Sequence, residues 1–166
     1  MMNIVIANRQ RVKKINSRLL KEIVSAILTD LTIEHCELEI NLIGAGGMAA
    51  LNETFLRHEG STDVITFDYS VGPVSSLSHF NSEKIKDRQD AFPTLHGEIF
   101  VCVDEAILQA KQFKTTWQSE IIRYVVHGIL HLLGHDDLSS RPKRKMKRKE
   151  NRLVHQLSRR FALSKL

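Results

Sequence analysis

Residues 121–137 read IIRYVVHGILHLLGHDD, and the reading of this stretch decides the rest. His127 and His131 stand four apart inside a long apolar run, a period that predicts a helix rather than a strand. Side chains four apart on a helix lie one above the other, with Cβ atoms about 5–6 Å apart. Two imidazoles so placed can reach one zinc ion at the ~2.0–2.1 Å that zinc–nitrogen bonds require. Gly134 follows, and glycine is the residue that most readily takes the left-handed conformation ending a helix. A helix running straight on would carry His135 about 12 Å along the axis from His127, too far for a third ligand. A chain that turns at Gly134 instead brings Asp137 back. The reading is therefore one zinc held by His127, His131 and Asp137, with a fourth position open to water. His135 stands as the alternative third ligand and Asp136 as a lesser one.

A histidine pair at i, i+4 on an apolar face is, by itself, more often core or surface than ligand. The glycine three residues on and the acid at the third-ligand position turn the balance toward metal. The zinc-protease pattern H-E-x-x-H places a glutamate base directly after its first histidine. Here that place is Gly128, which disfavours peptide hydrolysis.

Working outward, the chain alternates strand and helix, which predicts a single α/β domain. Residues 3–8 (NIVIAN), 37–43 (ELEINLI), 64–69 and 97–103 (GEIFVCV) read as strands. Residues 12–31 carry apolar side chains at helical spacing and suit a helix packed on that sheet. The glycines at 44–47 read as a turn leading to a short helix over 48–57. Asp104 reads as the cap of a helix containing Ala106, Ile107 and Ala110, and Thr115 or Thr116 as the cap of the histidine helix. Glu120 lies about 10 Å from His127 on that helix, which suits a supporting hydrogen bond or ion pair rather than ligation. Residues 70–94 are polar, hold two of the three prolines and show no period, which predicts a flexible loop. Residues 139–162 form a final helix with Met146, Leu153, Val154, Leu157 and Phe161 as its apolar stripe.

At 166 residues with 42% hydrophobic and 26% charged residues, the chain suits one soluble globular domain. No apolar run reaches a membrane span, the first residues lack a signal peptide's pattern, and two cysteines make no disulfide framework. Cytoplasm is the expected compartment. The net charge of +5 is concentrated in residues 141–149, RPKRKMKRK, a run that serves either as a solvated helix face or as a track for RNA phosphates.

HGILHLLGHDD (residues 127–137) resembles the H-G-x-L-H-L-x-G-(Y/H)-D-H signature of the YbeY family, bacterial metal-dependent endoribonucleases of ribosomal RNA maturation. The likeness extends to LNETFLRHEGSTDVITF (51–67) and HGEIFVCVDEA (96–106), blocks in the family's order across most of the chain. The resemblance implies a small mixed sheet of about four strands. It also implies a zinc-dependent, single-strand-specific endoribonuclease of 16S rRNA maturation and small-subunit quality control, with ribosomal RNA and the small ribosomal subunit as partners. The runner-up is a ribosome-assembly or RNA-binding factor with a mainly structural metal. The chain departs from the pattern twice. Asp137 stands where the family usually has a third histidine, so the site carries one more negative charge. Leu56 stands where the family has a functional arginine, and Arg57, one place later, is the catalytic candidate. The resemblance also places Asp63 at the cleft border as a secondary candidate.

Overall fold

The computed structural model describes residues 1–70 and 94–166. Its strands are β1 (Met2–Asn8), β2 (His35–Ile43), β3 (Val64–Asp68) and β4 (Thr94–Cys102). Its α-helices are α1 (Ser17–Asp30), α2 (Ala45–Leu51), α3 (Val103–Phe113), α4 (Trp117–Leu132) and α5 (Ser140–Arg160). The sheet order is β1-β2-β4-β3, with β1, β2 and β4 parallel and β3 antiparallel to β4 at the edge. This is the α/β arrangement that the pattern predicts, with the mixed four-stranded sheet that the family resemblance implies. The loop expected over residues 70–94 falls almost wholly outside the described residues.

Strand side chains alternate between faces. Ile4, Leu38, Ile40, Leu42, Ile99 and Val101 share one core with the apolar stripes of α1 and α4. On the opposite face Ile43, Ile65 and Cys102 form a smaller cluster with Met48 of α2, flanked by Phe67 and Phe100. Most of α4 is buried, including Ile121, Ile122, Val125, Val126, Ile129 and Leu130. The histidine helix is therefore a rigid core element. That suits a site whose ligands must be held in fixed geometry.

The close seat of α4 depends on Gly128. A Cβ at that position would lie 2.8 Å from Ile99 Cγ2 and 3.2 Å from Thr66 Cγ2, so β4 and β3 occupy the space. The protease glutamate is thus excluded by packing: any side chain here would push α4 off the sheet.

Four local expectations need correction. The glycines at 44–47 open a helix rather than a turn: Gly44 caps α2, whose Ala45 N–H donates to Asp104 Oδ2 at 2.7 Å. Asp104 consequently caps α2 from across the fold and not its own helix, whose preceding residue Cys102 makes no side-chain cap bond. α1 starts at Ser17, five residues later than the apolar pattern predicts, with Asn16 Oδ1 accepting from Leu19 N–H at 3.1 Å. The delay has a cause in Gln10, whose Oε1 accepts from Val12 and Lys13 N–H and ties the preceding segment into a turn. Finally, the helix expected over 48–57 ends in a π turn, Asn52–Leu56, in which Arg57 N–H donates to Asn52 O.

Gly128→Ala tests the packing by its sign. In an open helix the change would stabilise by up to about 1 kcal/mol. Here overpacking should cost about 1–3 kcal/mol, read as a lowered Tm; a raised Tm would show slack between α4 and the sheet.

Candidate metal centre

The backbone reversal after α4 creates the site. Gly134 has φ 82°, its N–H donates to His131 O at 2.8 Å, and His135 N–H donates to Leu130 O at 3.0 Å. These paired bonds form a Schellman cap, which needs a left-handed residue and so favours glycine. The reversal lays residues 135–137 back over the last turns of α4.

His127 Nε2 and His131 Nε2 lie 3.0 Å apart, and Asp137 Oδ2 lies 3.8 Å from the first and 3.7 Å from the second. Ligands at ~2.0–2.1 Å from a tetrahedral ion stand about 3.3 Å from one another. The three donor atoms bracket that spacing, and the cluster could hold a metal ion.

The far sides of the rings support the same conclusion. His127 Nδ1 lies 2.9 Å from Glu150 Oε2, and His131 Nδ1 lies 3.1 Å from the carbonyl oxygen of His135. Both oxygens can only accept, so each Nδ1 carries the proton and each Nε2 keeps its lone pair. Two lone pairs facing each other with a carboxylate beside them repel unless a cation lies between. Burial and the neighbouring His127 hold the pKa of His131 below its usual value, which keeps that ring neutral and ready to ligate.

Glu150 is the functional residue that sequence reasoning missed. It is 2% exposed. Besides His127, its carboxylate accepts from Arg123 Nη1 at 2.6 Å and Lys147 Nζ at 2.7 Å. Burial alone would raise its pKa, but the bonds from His127, Lys147 and Arg123 outweigh that and hold it at about 2. A signal was available: Glu150 is the sole acid in residues 141–160, four after Met146 and three before Leu153, on the apolar stripe of α5. The surrounding basic residues masked it.

The other candidates lie as follows. His135 turns its ring elsewhere, its Nε2 accepting from Lys149 Nζ at 3.1 Å. Asp136 Oδ1 accepts from Leu138 N–H at 2.8 Å, a local turn bond. Glu120, 5% exposed, accepts from Thr115 Oγ1 at 2.5 Å and lies 3.9 Å from Arg123 Nε, so it anchors the start of α4. Asp63 makes local bonds, accepting from Val64 N–H at 2.9 Å and Thr62 Oγ1 at 3.1 Å. Arg57 is exposed, ends the π turn at φ 54° and makes no hydrogen bond or ion pair with the cluster among the described residues.

Known proteins bear out the resemblance. The family described as Endoribonuclease YbeY matches residues 4–158. The chain belongs to that family. An Endoribonuclease YbeY of Chlorobium phaeovibrioides is 34% identical over 117 residues, 69% of this chain and 66% of that protein. One from Salinibacter ruber is 36% identical over 63% of this chain and 60% of its own length. The matches to these two thus span about three-fifths to two-thirds of the relatives, whereas a Chlorobium luteolum relative, 26% identical, is matched over its whole length and 95% of this chain. The solution structure of TM1509 from Thermotoga maritima superposes with a TM-score of 0.58 at 25% identity, covering 93% of this chain and 88% of that one.

Glu150→Gln replaces the charged acceptor that fixes the His127 ring with a neutral amide and should weaken metal affinity about 10–100-fold in a competition titration; unchanged affinity would make the Glu150 charge incidental. The lowered pKa also fixes a sign. In metal-free protein the contribution of Glu150, on the order of 3 kcal/mol, is complete above the usual 4.5 and is lost as pH falls toward about 2. Denaturant unfolding from pH 5 to pH 2 should show wild type losing more stability than Glu150→Gln. Parallel curves would contradict this.

Proposed function

We propose that the chain is a zinc-dependent endoribonuclease that cuts single-stranded RNA during 16S rRNA maturation and small-subunit quality control in the cytoplasm. The observation that carries the reading is the three-donor cluster of His127, His131 and Asp137 on the family's signature helix, with no fourth side chain completing it among the described residues. Relatives matched along the chain are named endoribonucleases.

In this reading His127, His131 and Asp137 hold the ion. When bound, zinc supplies Lewis acidity toward water and a phosphate oxygen. The chain's own residues set the conditions for that chemistry. Glu150 and the His135 carbonyl fix the tautomers of the two rings. Gly128 removes the glutamate that would serve as a peptidase base, so the proton acceptor is not supplied by that position. Arg57 takes the role of the family arginine and neutralises phosphate charge. The carboxylate of Asp137, compared with a third imidazole, would reduce the positive charge of the site when the ion is held, and so would acidify water there less.

A mainly structural metal in a ribosome-assembly factor is the competing reading. It is favoured by the link from His127 through Glu150 to α5, which lets ligation lock two helices together. His131→Ala separates the two. Loss of RNA cleavage with folding and RNA binding retained supports the enzyme, whereas an unfolded chain supports the structural role.

Asp137→Ala should lower zinc affinity by a factor of ten or more, on the order of the loss for a ligand or its close support. His135→Ala should lower it far less. The reverse order in the same titration would transfer the third ligand to His135.

A further inference from the structure

The basic helix α5 gathers five of its six arginines in one row, while the sixth, Arg160, lies off it and pairs with Asp30. Successive helical residues are about 100° apart. Met146, Glu150, Leu153, Val154 and Leu157 are buried and define the inward side. Arg141, Arg144 and Arg148 recur at i, i+3 and i+7, centred about 170° from that side, and line one open groove together. Arg152 and Arg159, both exposed, continue the row, giving a stripe about 27 Å long. Lys145 borders the row, about 20° round the helix from Arg152, and two of the other lysines are engaged locally: Lys147 with Glu150 and Lys149 with His135. Glu150 is the sole acid of the helix and it is buried; the one acid near the row is Asp30 of α1, which lines a groove with Arg152 and Arg159, while the groove of Arg141, Arg144 and Arg148 has no acid in its lining.

Solubility alone would be served as well by lysine as by arginine. Arginine's planar fork matches phosphate oxygens in a bidentate way that an ammonium cannot. The metal cluster lies on the inward side of α5, reached through Glu150, so the arginine stripe points away from it.

We propose that the outward arginine stripe of α5 is a docking surface for the phosphate backbone of a folded RNA, separate from the strand that is cut. This rests on the endoribonuclease reading, which it extends by giving the substrate two parts: a single-stranded segment at the metal and a structured region held on the far face of α5. A stripe about 27 Å long spans several phosphates.

The test uses the full chain and the variant Arg141→Gln/Arg144→Gln/Arg148→Gln, with two RNA probes. One is a hairpin carrying a single-stranded tail, the other the tail alone. Binding is measured in chelator, so it is read whether or not the protein cleaves RNA. A chain that cuts neither probe when zinc is restored refutes the endoribonuclease reading and leaves the binding comparison intact. The variant should bind the hairpin probe roughly tenfold or more weakly, with the slope of log affinity against log salt flattened by about two to three. Affinity for the tail alone should stay within about twofold of wild type. Equal losses on both probes would place the stripe in the path of the cut strand and overturn the proposal. Unchanged binding of both would make it a solvated face and overturn it as well.

Discussion

Glu150 is a carboxylate 2% exposed to solvent, and it remains ionised there because three donors converge on it: His127, Arg123 and Lys147. Burying such a charge costs several kcal/mol unless its lone pairs are satisfied, and removing one partner leaves that cost uncompensated. Two of the partners, His127 and Arg123, belong to α4, while Glu150 and Lys147 belong to α5. The same contact therefore joins the two helices and sets the orientation of a ring in the three-donor cluster. Fold and site share one interaction, and neither can be loosened without the other.

Two glycines complete the geometry, each for a different reason. Gly128 has no side chain because Ile99 and Thr66 fill the space, and that lets α4 lie close on the sheet. Gly134 supplies the left-handed turn that ends α4 and returns Asp137 to within 3.8 Å of both histidine Nε2 atoms. Close seating makes the histidine platform rigid, and the reversal supplies the third donor. The first glycine also removes the base of a peptidase, so one packing constraint narrows the chemistry.

The elements whose formation is set by local period were legible in the chain. The strands, α1, α4 and α5, and the break at Gly134 follow from alternation, helical spacing and one residue's conformational freedom. What was not legible depends on contacts distant in sequence. The glycines at 44–47 look like a turn until Asp104, some sixty residues on, caps them into α2. Gln10 ties up the segment before α1 through bonds that no helical period registers. Glu150 was hidden for the same reason, since its meaning lies in a bond to His127 across the fold. The site was legible in its three donors, which sit within eleven residues, and not in the group that orients them.

The account stands on two imidazoles and one carboxylate sharing a single ion. X-ray absorption at the zinc edge of the loaded protein tests this most directly. The account predicts two imidazole nitrogens at ~2.0–2.1 Å with the remaining ligands oxygen, and a first shell altered by Asp137→Ala but not by His135→Ala. Three imidazoles in the shell, or a shell indifferent to Asp137→Ala, would contradict it.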